Sequence, residues 1–170
     1  MVVWLIGLSG AGKSTLANEI VLRANKAGNK TILLDGDLVR KMFGNDLGYS
    51  LDDRFKNAER ICQLGKFLND QGLHVVTAIL SLFPENREWN RNNIGNYYEV
   101  FIDAPLEDLI KRDPKGLYAK FYKGEISEVA GMDIDFPKPE KADLVIKNIT
   151  SKESLLDYAK PIVEKLTLLK

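Results

Sequence analysis

The sequence predicts an α/β fold: a parallel sheet of about five strands, helices on both of its faces, and a lid-like insertion. Three observations lead there. Short apolar runs alternate with helical patterns along the 170 residues, the order that builds strand–helix–strand units. The runs are rich in Val, Ile and Leu without polar alternation, as expected of strands buried on both sides. A glycine-rich stretch, Gly7 to Gly12, separates the first apolar run from the first helical pattern.

Taken in order, Val2–Ile6 is the first strand and Lys13–Lys26 the first helix. A second strand is expected over residues 31–34 and a short helix over 37–43. Ser50 and Asp53 can form a capping box, Ser50 accepting an N–H and Asp53 reaching back. That starts a long helix over residues 51–71, and Gly72 is placed to stop it. Residues 74–79 read as the third strand, 85–92 as a helix, 98–102 as the fourth strand and 106–111 as a helix. Between about Lys115 and Lys141 the rhythm fails, with Gly, Pro and both charges mixed. A structureless insertion of that length is a functional lid or a linker; because a strand pattern resumes over residues 143–146, it is read as a lid. Ser151, followed by Glu153, suits the start of a last helix running to residue 168. With no repeats or low-complexity tract, residues 1–170 are expected to form one domain.

Composition narrows the function classes. Lys+Arg and Asp+Glu number 24 each, and a balanced chain lacks the basic surplus of a nucleic-acid partner. No apolar run approaches the ~20 residues needed to span a bilayer, so no membrane partner is expected. The single cysteine, Cys62, excludes an intramolecular disulfide, fits a reducing compartment and reads as a buried structural thiol. Met1 to Ile6 runs into the glycine stretch without a basic leader and reads as a strand. A cytoplasmic protein is expected. His74, the only histidine, opens a strand at the end away from the glycine stretch, and Trp4 and Trp89 read as core and surface-packing residues.

The strongest chemical signal is Gly7-Leu8-Ser9-Gly10-Ala11-Gly12-Lys13-Ser14, which matches G-x-x-x-x-G-K-[ST] with a strand before it and a helix after. Glycines let successive N–H groups point at phosphate oxygens, and the helix N-terminus adds partial positive charge. Residues 7–15, with Thr15 completing the loop, are therefore the ATP cradle. Lys13 is expected at the β- and γ-phosphates and the Ser14 hydroxyl on Mg²⁺. The segment 145–148 lacks a guanine-reading Asn-Lys-x-Asp pattern. A small-molecule kinase with a three-layer P-loop fold is the subclass expected.

The second strand ends in Leu33-Leu34-Asp35-Gly36-Asp37, which puts two carboxylates at the carboxyl edge of the sheet, where open α/β folds bind ligands. Phosphoryl transfer to a hydroxyl needs a carboxylate to take the proton, and Asp37 or Asp35 can supply it; a helix cap with an ordinary turn is the alternative. Arg40, Arg54, Asn57 and Arg60 gather in the next elements. Arg54 and Asn57, one turn apart, can jointly grip an anion, and the alternative is a solvated charged helix face. Tyr118, Phe121 and Tyr122 sit at helical spacing, to pack a lid down or to clamp a base.

The series Asp35-Gly36-Asp37-x-x-Arg40, Asp46-Leu47-Gly48-Tyr49-Ser50, Asp53-Arg54-x-x-Asn57-x-x-Arg60, Thr77-Ala78-Ile79-Leu80-Ser81, Arg112-Asp113-Pro114-Lys115-Gly116-Leu117-Tyr118 and Gly131-Met132-Asp133 resembles the adenylylsulfate (APS) kinases in order and spacing. The likeness runs from about residue 2 to residue 148. It implies a kinase that uses MgATP to phosphorylate the ribose 3′-hydroxyl of a nucleotide, most simply adenylyl sulfate in sulfate assimilation. It further implies Asp37 as catalytic carboxylate supported by Asp35. It makes Arg40, Tyr49, Arg54 and Asn57 acceptor contacts, with Tyr49 stacking on the base beside the wall of Ile79, Leu80, Ser81 and Phe83. Arg112 and Lys115 become lid-hinge residues near ATP. Ser81 matches a serine assigned in the family as a phosphoserine intermediate; a hydrogen-bonding role is the alternative, because in-line transfer needs no covalent enzyme species. Relatives that pair leave a homodimer open.

Two departures fall on acceptor-facing segments. Where the family reads Pro-Tyr-Arg after the serine, this chain has Leu82-Phe83-Pro84 with Arg87 retained, and where the lid reads Pro-Tyr-Glu it has Asp135-Phe136-Pro137. Family members that act on cytidine diphosphoramidate in capsule modification make that the alternative acceptor. A nucleoside monophosphate kinase and a non-catalytic ATP-binding regulatory module are the further alternatives; Lys13, Ser14, Asp35 and Asp37 together weigh against the latter.

Overall fold

In the computed structural model, which describes residues 1–147 and 151–168, five strands form one all-parallel sheet in the order β2-β3-β1-β4-β5. These are β1 (Val2–Ile6), β2 (Thr31–Asp35), β3 (His74–Ile79), β4 (Tyr97–Asp103) and β5 (Leu144–Lys147). The helices are α1 (Lys13–Lys26), α2 (Gly36–Met42), α3 (Leu51–Asp70), α4 (Pro84–Asn93), α5 (Leu106–Arg112), α6 (Leu117–Tyr122), α7 (Lys152–Asp157) and α8 (Ala159–Thr167). Asn148, at the end of the segment without a guanine-reading pattern, lies outside the described residues.

The central strand shows why its sequence is uninterrupted by polar residues. Every residue of β1 is fully buried, and successive side chains serve opposite layers. Val3 and Leu5 join Leu16, Ile20, Leu109, Ile162 and Leu166 on one face, while Val2, Trp4 and Ile6 join Ile61, Cys62, Val75 and Phe101 on the other. Cys62 is buried as expected, and desolvation pushes its thiol up to about 12, so it is unreactive at neutral pH. Because β1 lies between β3 and β4, the chain turns from one half of the sheet to the other beside it. The crevice at such a switch point lies off the carboxyl ends of the strands.

Three expectations need correction. The final helix is two, broken at Tyr158. Pro161 explains the break: it has no N–H to give to the carbonyl four residues back, and it is tolerated only in the first turn of a helix, which is where α8 puts it. The 115–141 insertion is not structureless, since α6 and an Ala130–Ile134 bridge lie within it. At the start of α3, Ser50 does accept the Asp53 N–H at 3.2 Å, but Asp53 does not reach back. Its carboxylate takes the Gly48 N–H at 3.1 Å and closes the preceding loop. No helix among the described residues is long and apolar enough to cross a membrane.

Candidate active site

The loop from Gly7 to Gly12 follows β1 directly, and local backbone geometry fixes it. Gly12 has φ 96°, and a Cβ there would lie 2.5 Å from Leu155 Cδ2 of α7; only glycine fits. No side chain caps the N-terminus of α1, so its first N–H groups stay available to an anion. Tyr118, fully buried in α6, donates its hydroxyl to the Ser9 carbonyl at 3.1 Å and ties the insertion to this loop. That is the packing role of the two expected for this aromatic.

Lys13 Nζ donates to the Leu8 carbonyl at 2.8 Å, folded back over its own loop. Burial, and then the nearby Lys115 charge, lower its ammonium from the ordinary 10.5 to about 8, although Asp35 and Asp37 pull the other way. Ser14 Oγ donates to Asp35 Oδ2 at 2.7 Å. The other oxygen of Asp35 accepts the Asp37 N–H at 2.9 Å, so Asp35 caps α2 and also holds the Ser14 hydroxyl.

Asp37 is half-exposed in the first turn of α2. Its Oδ2 accepts a hydrogen bond from Lys115 Nζ at 2.8 Å, and its Oδ1 lies 4.0 Å from Arg40 Nη1. Burial raises this carboxyl, but the Lys115 hydrogen bond and the charges of Lys115, Arg40 and Lys13 outweigh it and hold the group below the usual carboxylate value. Asp37 is therefore ionised at neutral pH. No cluster of three or more His, Cys, Asp or Glu occurs among the described residues. The oxygen pair Ser14–Asp35 instead suits a hard cation that keeps waters and shares phosphate oxygens, as Mg²⁺ does.

Lys13, Ser14, Asp35 and Asp37 open into one cleft of about 470 Å³. The cleft is also lined by Ser9, Gly10, Gly12 and Thr15, and by the sequence-derived acceptor residues Arg40, Tyr49, Arg54, Asn57, Ile79, Leu80, Ser81 and Phe83. Gly7, Leu8 and Ala11, expected in the same cradle, do not line it. Lys115 lines it, whereas Arg112, the exposed last residue of α5, does not.

On the acceptor side the cations already have structural work. Arg54 donates through Nε to the Tyr49 carbonyl at 2.6 Å and through Nη2 to the Glu128 carbonyl at 2.9 Å. Arg40 donates to the Gly48 carbonyl at 3.2 Å, and both guanidiniums lie over the exposed Tyr49 ring, at 4.7 and 5.6 Å from its centre. Arg54 thus braces the Tyr49 loop against the insertion while lining the cleft. Asn57 is buried, with Nδ2 3.5 Å from the Gly36 carbonyl and Oδ1 unpartnered. Arg60, expected in the same cluster, pairs bidentately with Asp46 at 3.0 and 2.7 Å and lies over Phe43.

Ser81 is buried at φ 56°. Its Oγ accepts the Trp4 indole N–H at 3.1 Å, and its carbonyl accepts Arg87 Nη1 at 2.7 Å. This turn aims Phe83 at the cleft, where it packs edge-on against Phe55 at 5.0 Å. Pro84 follows as the first residue of α4, where its missing N–H costs nothing. Sequence reasoning missed Val129 and Ala130, buried residues of the insertion that also line the cleft. The available signal was Asp133 in the Gly131-Met132-Asp133 motif. Its carboxylate accepts the Glu128 and Val129 N–H groups at 2.8 and 2.6 Å and shapes that turn.

Residues 1–147 match the family described as Adenylylsulphate kinase. The cytidine diphosphoramidate kinase of Campylobacter jejuni is 40% identical over 167 residues, covering 98% of this chain and 96% of that protein. The adenylyl-sulfate kinase of Paraburkholderia xenovorans is 43% identical over 147 residues, covering 86% of this chain and 82% of that protein. Among solved structures, the Mycobacterium tuberculosis APS kinase CysC in complex with AMPPNP and APS aligns over 98% of this chain and 96% of its own, with a TM-score of 0.89 and 35% identity.

Proposed function

This chain belongs to the adenylylsulphate kinase family of ATP-using P-loop kinases, and from that premise we propose that it carries the γ-phosphoryl group of MgATP to the 3′-hydroxyl of adenylyl sulfate. The observation that carries the reading is the shared cleft: the P-loop lysine and an ionised Asp37 line one volume. The first-turn N–H groups of α1 and Lys13 bind the donor phosphates and receive charge as it develops on them. Ser14 with Asp35 would hold Mg²⁺, which would supply positive charge to offset that of the donor phosphates. Asp37 accepts the proton of the attacking hydroxyl. Tyr49, with Phe83 and Val129 nearby, supplies surface for the acceptor's base, and Asn57 Oδ1 offers an unpartnered acceptor in the same cleft. The insertion, held down by Tyr118 and Arg54, excludes water.

Cytidine diphosphoramidate is the second acceptor reading, and two observations favour it. The Campylobacter relative covers 98% of this chain and 96% of its own length, and the turn after Ser81 carries an exposed Pro84 where the adenylyl-sulfate kinase pattern has an arginine able to contact an anion. A turnover assay with MgATP against adenylyl sulfate, cytidine diphosphoramidate and plain nucleotides decides between them. Rapid 3′-phosphorylation of adenylyl sulfate alone supports the first reading, and of the cytidine compound alone the second. A nucleoside diphosphate product, or none, overturns both.

A further inference from the structure

Lys115 occupies an unusual place for a group expected to meet the donor. Its loop between α5 and α6 carries two residues at positive φ, Asp113 at 23° and Gly116 at 65°. Asp113 Oδ2 accepts the Ala119 N–H at 2.9 Å and locks the turn. Pro114 lies against the P-loop, since a Cβ on Gly10 would sit 3.5 Å from Pro114 Cδ. The backbone of Lys115 is thus seated on the donor side, while its ammonium reaches Asp37 on the acceptor side at 2.8 Å. Lys13 is likewise turned inward, onto the Leu8 carbonyl. Both lysines of the cleft are held by internal acceptors.

We infer that Lys115 is a transferable tether: in the free enzyme it holds Asp37, and on donor binding it passes to the phosphates, so the carboxylate is released for proton transfer only once ATP is in place. The inference rests on the donor reading above and adds to it an order of events.

The physical reason is competition between anions. One half-exposed carboxylate offers Lys115 a screened, modest interaction, whereas a triphosphate in the same cleft offers several charged oxygens. Lys13 and Lys115 also repel one another, and an arriving polyanion relieves both. When Lys115 leaves, Asp37 loses the hydrogen bond and charge that most depress its basicity and keeps the charges of Arg40, 4.0 Å away, and of Lys13. A base idle without donor cannot activate a stray water or an acceptor that has arrived alone. Donor binding and base strength are then coupled free energies, and the coupling is reciprocal.

The test is calorimetric titration of the full chain with AMPPNP in EDTA, so that metal coordination contributes nothing. It compares the parent, Asp37→Asn, Lys115→Met and the double variant, beside a crystal structure of the parent with AMPPNP. Asp37→Asn should tighten AMPPNP about threefold by freeing Lys115, and the gain should shrink in the Lys115→Met background. In the complex, Lys115 Nζ should lie on a phosphate oxygen and be parted from Asp37. Equal effects of Asp37→Asn in both backgrounds, or Lys115 still on Asp37 with AMPPNP bound, would overturn the tether and leave the donor reading standing. A parent protein that binds AMPPNP neither in EDTA nor with Mg²⁺ would sink both.

Discussion

The two halves of the cleft are built by different means. The donor half is one continuous segment, β1 through α1, and its shape comes from backbone: glycines at positive φ, a helix start without a side-chain cap, and a single lysine. The acceptor half is assembled from α2, the Tyr49 loop, α3, the β3–α4 turn and the insertion, and its shape comes from side chains holding one another. Local chain chemistry specifies most of the first, with Tyr118 and Leu155 packed onto it from afar. The second exists only once the sheet has brought distant segments together, so its residues bind partners within the protein before they bind any ligand.

That difference is broken most severely at the donor half. Lys13→Ala removes the only P-loop side chain that carries charge, and kcat/KM should fall on the order of 10²–10³-fold or more, as for loss of a charge-stabilising donor. Lys13 is turned onto the Leu8 carbonyl of its own loop, and its buried charge is a cost to the native state, so the melting temperature should hold or rise. Steady-state kinetics beside thermal unfolding check this, and a large loss of stability would place Lys13 among the structural residues.

Asp37→Asn tests the boundary between the halves. The amide keeps the shape but cannot take a proton, so kcat should fall roughly 10²–10⁴-fold while donor affinity shifts only a few-fold. Near-normal turnover would remove Asp37 from proton transfer. A loss confined to donor binding would move it to the other half of the cleft.

A gentler probe is pH. In the free protein the Lys13 ammonium titrates near 8, below its ordinary 10.5. Donor phosphates prefer the charged form, so affinity should be level below about pH 8 and weaken above it, by up to ~tenfold per unit. For folding the sign is opposite. The buried charge disfavours the native state at neutral pH, and that cost is relieved as pH rises from about 8 toward 10.5, where the unfolded chain holds more protons. Titrating AMPPNP affinity between pH 7 and 9.5 measures the first effect, and a flat profile would show that Lys13 stays charged.

The contrast also explains what the sequence disclosed. The bounds of β1 and α1 and the role of Gly12 were legible because a short motif encodes a backbone path. The carboxylate pair at the end of β2 was legible because strand ends meet at the crevice. Arg54 was expected as an anion contact, yet its partners are the Tyr49 and Glu128 carbonyls. The second lies 74 residues away, and no local pattern announces it. The break at Tyr158 was legible in principle, because Pro161 cannot sit deep inside a helix. So was α6, whose aromatic spacing at Tyr118, Phe121 and Tyr122 already had helical period.

The smallest effect is expected where the resemblance would have suggested a large one. Ser81 matches a serine assigned elsewhere as a covalent intermediate, but here its hydroxyl is buried and accepts the Trp4 N–H. A phosphoryl group on it would displace that bond and press into a core strand. Ser81→Ala should therefore lower stability by about 1–2 kcal/mol, the cost of one buried hydrogen bond with its donor left unpaired, and should lower kcat only a few-fold through slackening of the Phe83 wall. Ser81→Gly sharpens the point. Glycine accepts φ 56° without strain, so it should recover part of the stability that alanine loses, while both variants turn over alike. Chemical denaturation and kcat on the two proteins separate these effects. If alanine and glycine both abolish transfer while folding normally, the hydroxyl itself reacts, and the acceptor half carries chemistry that its hydrogen bonds conceal.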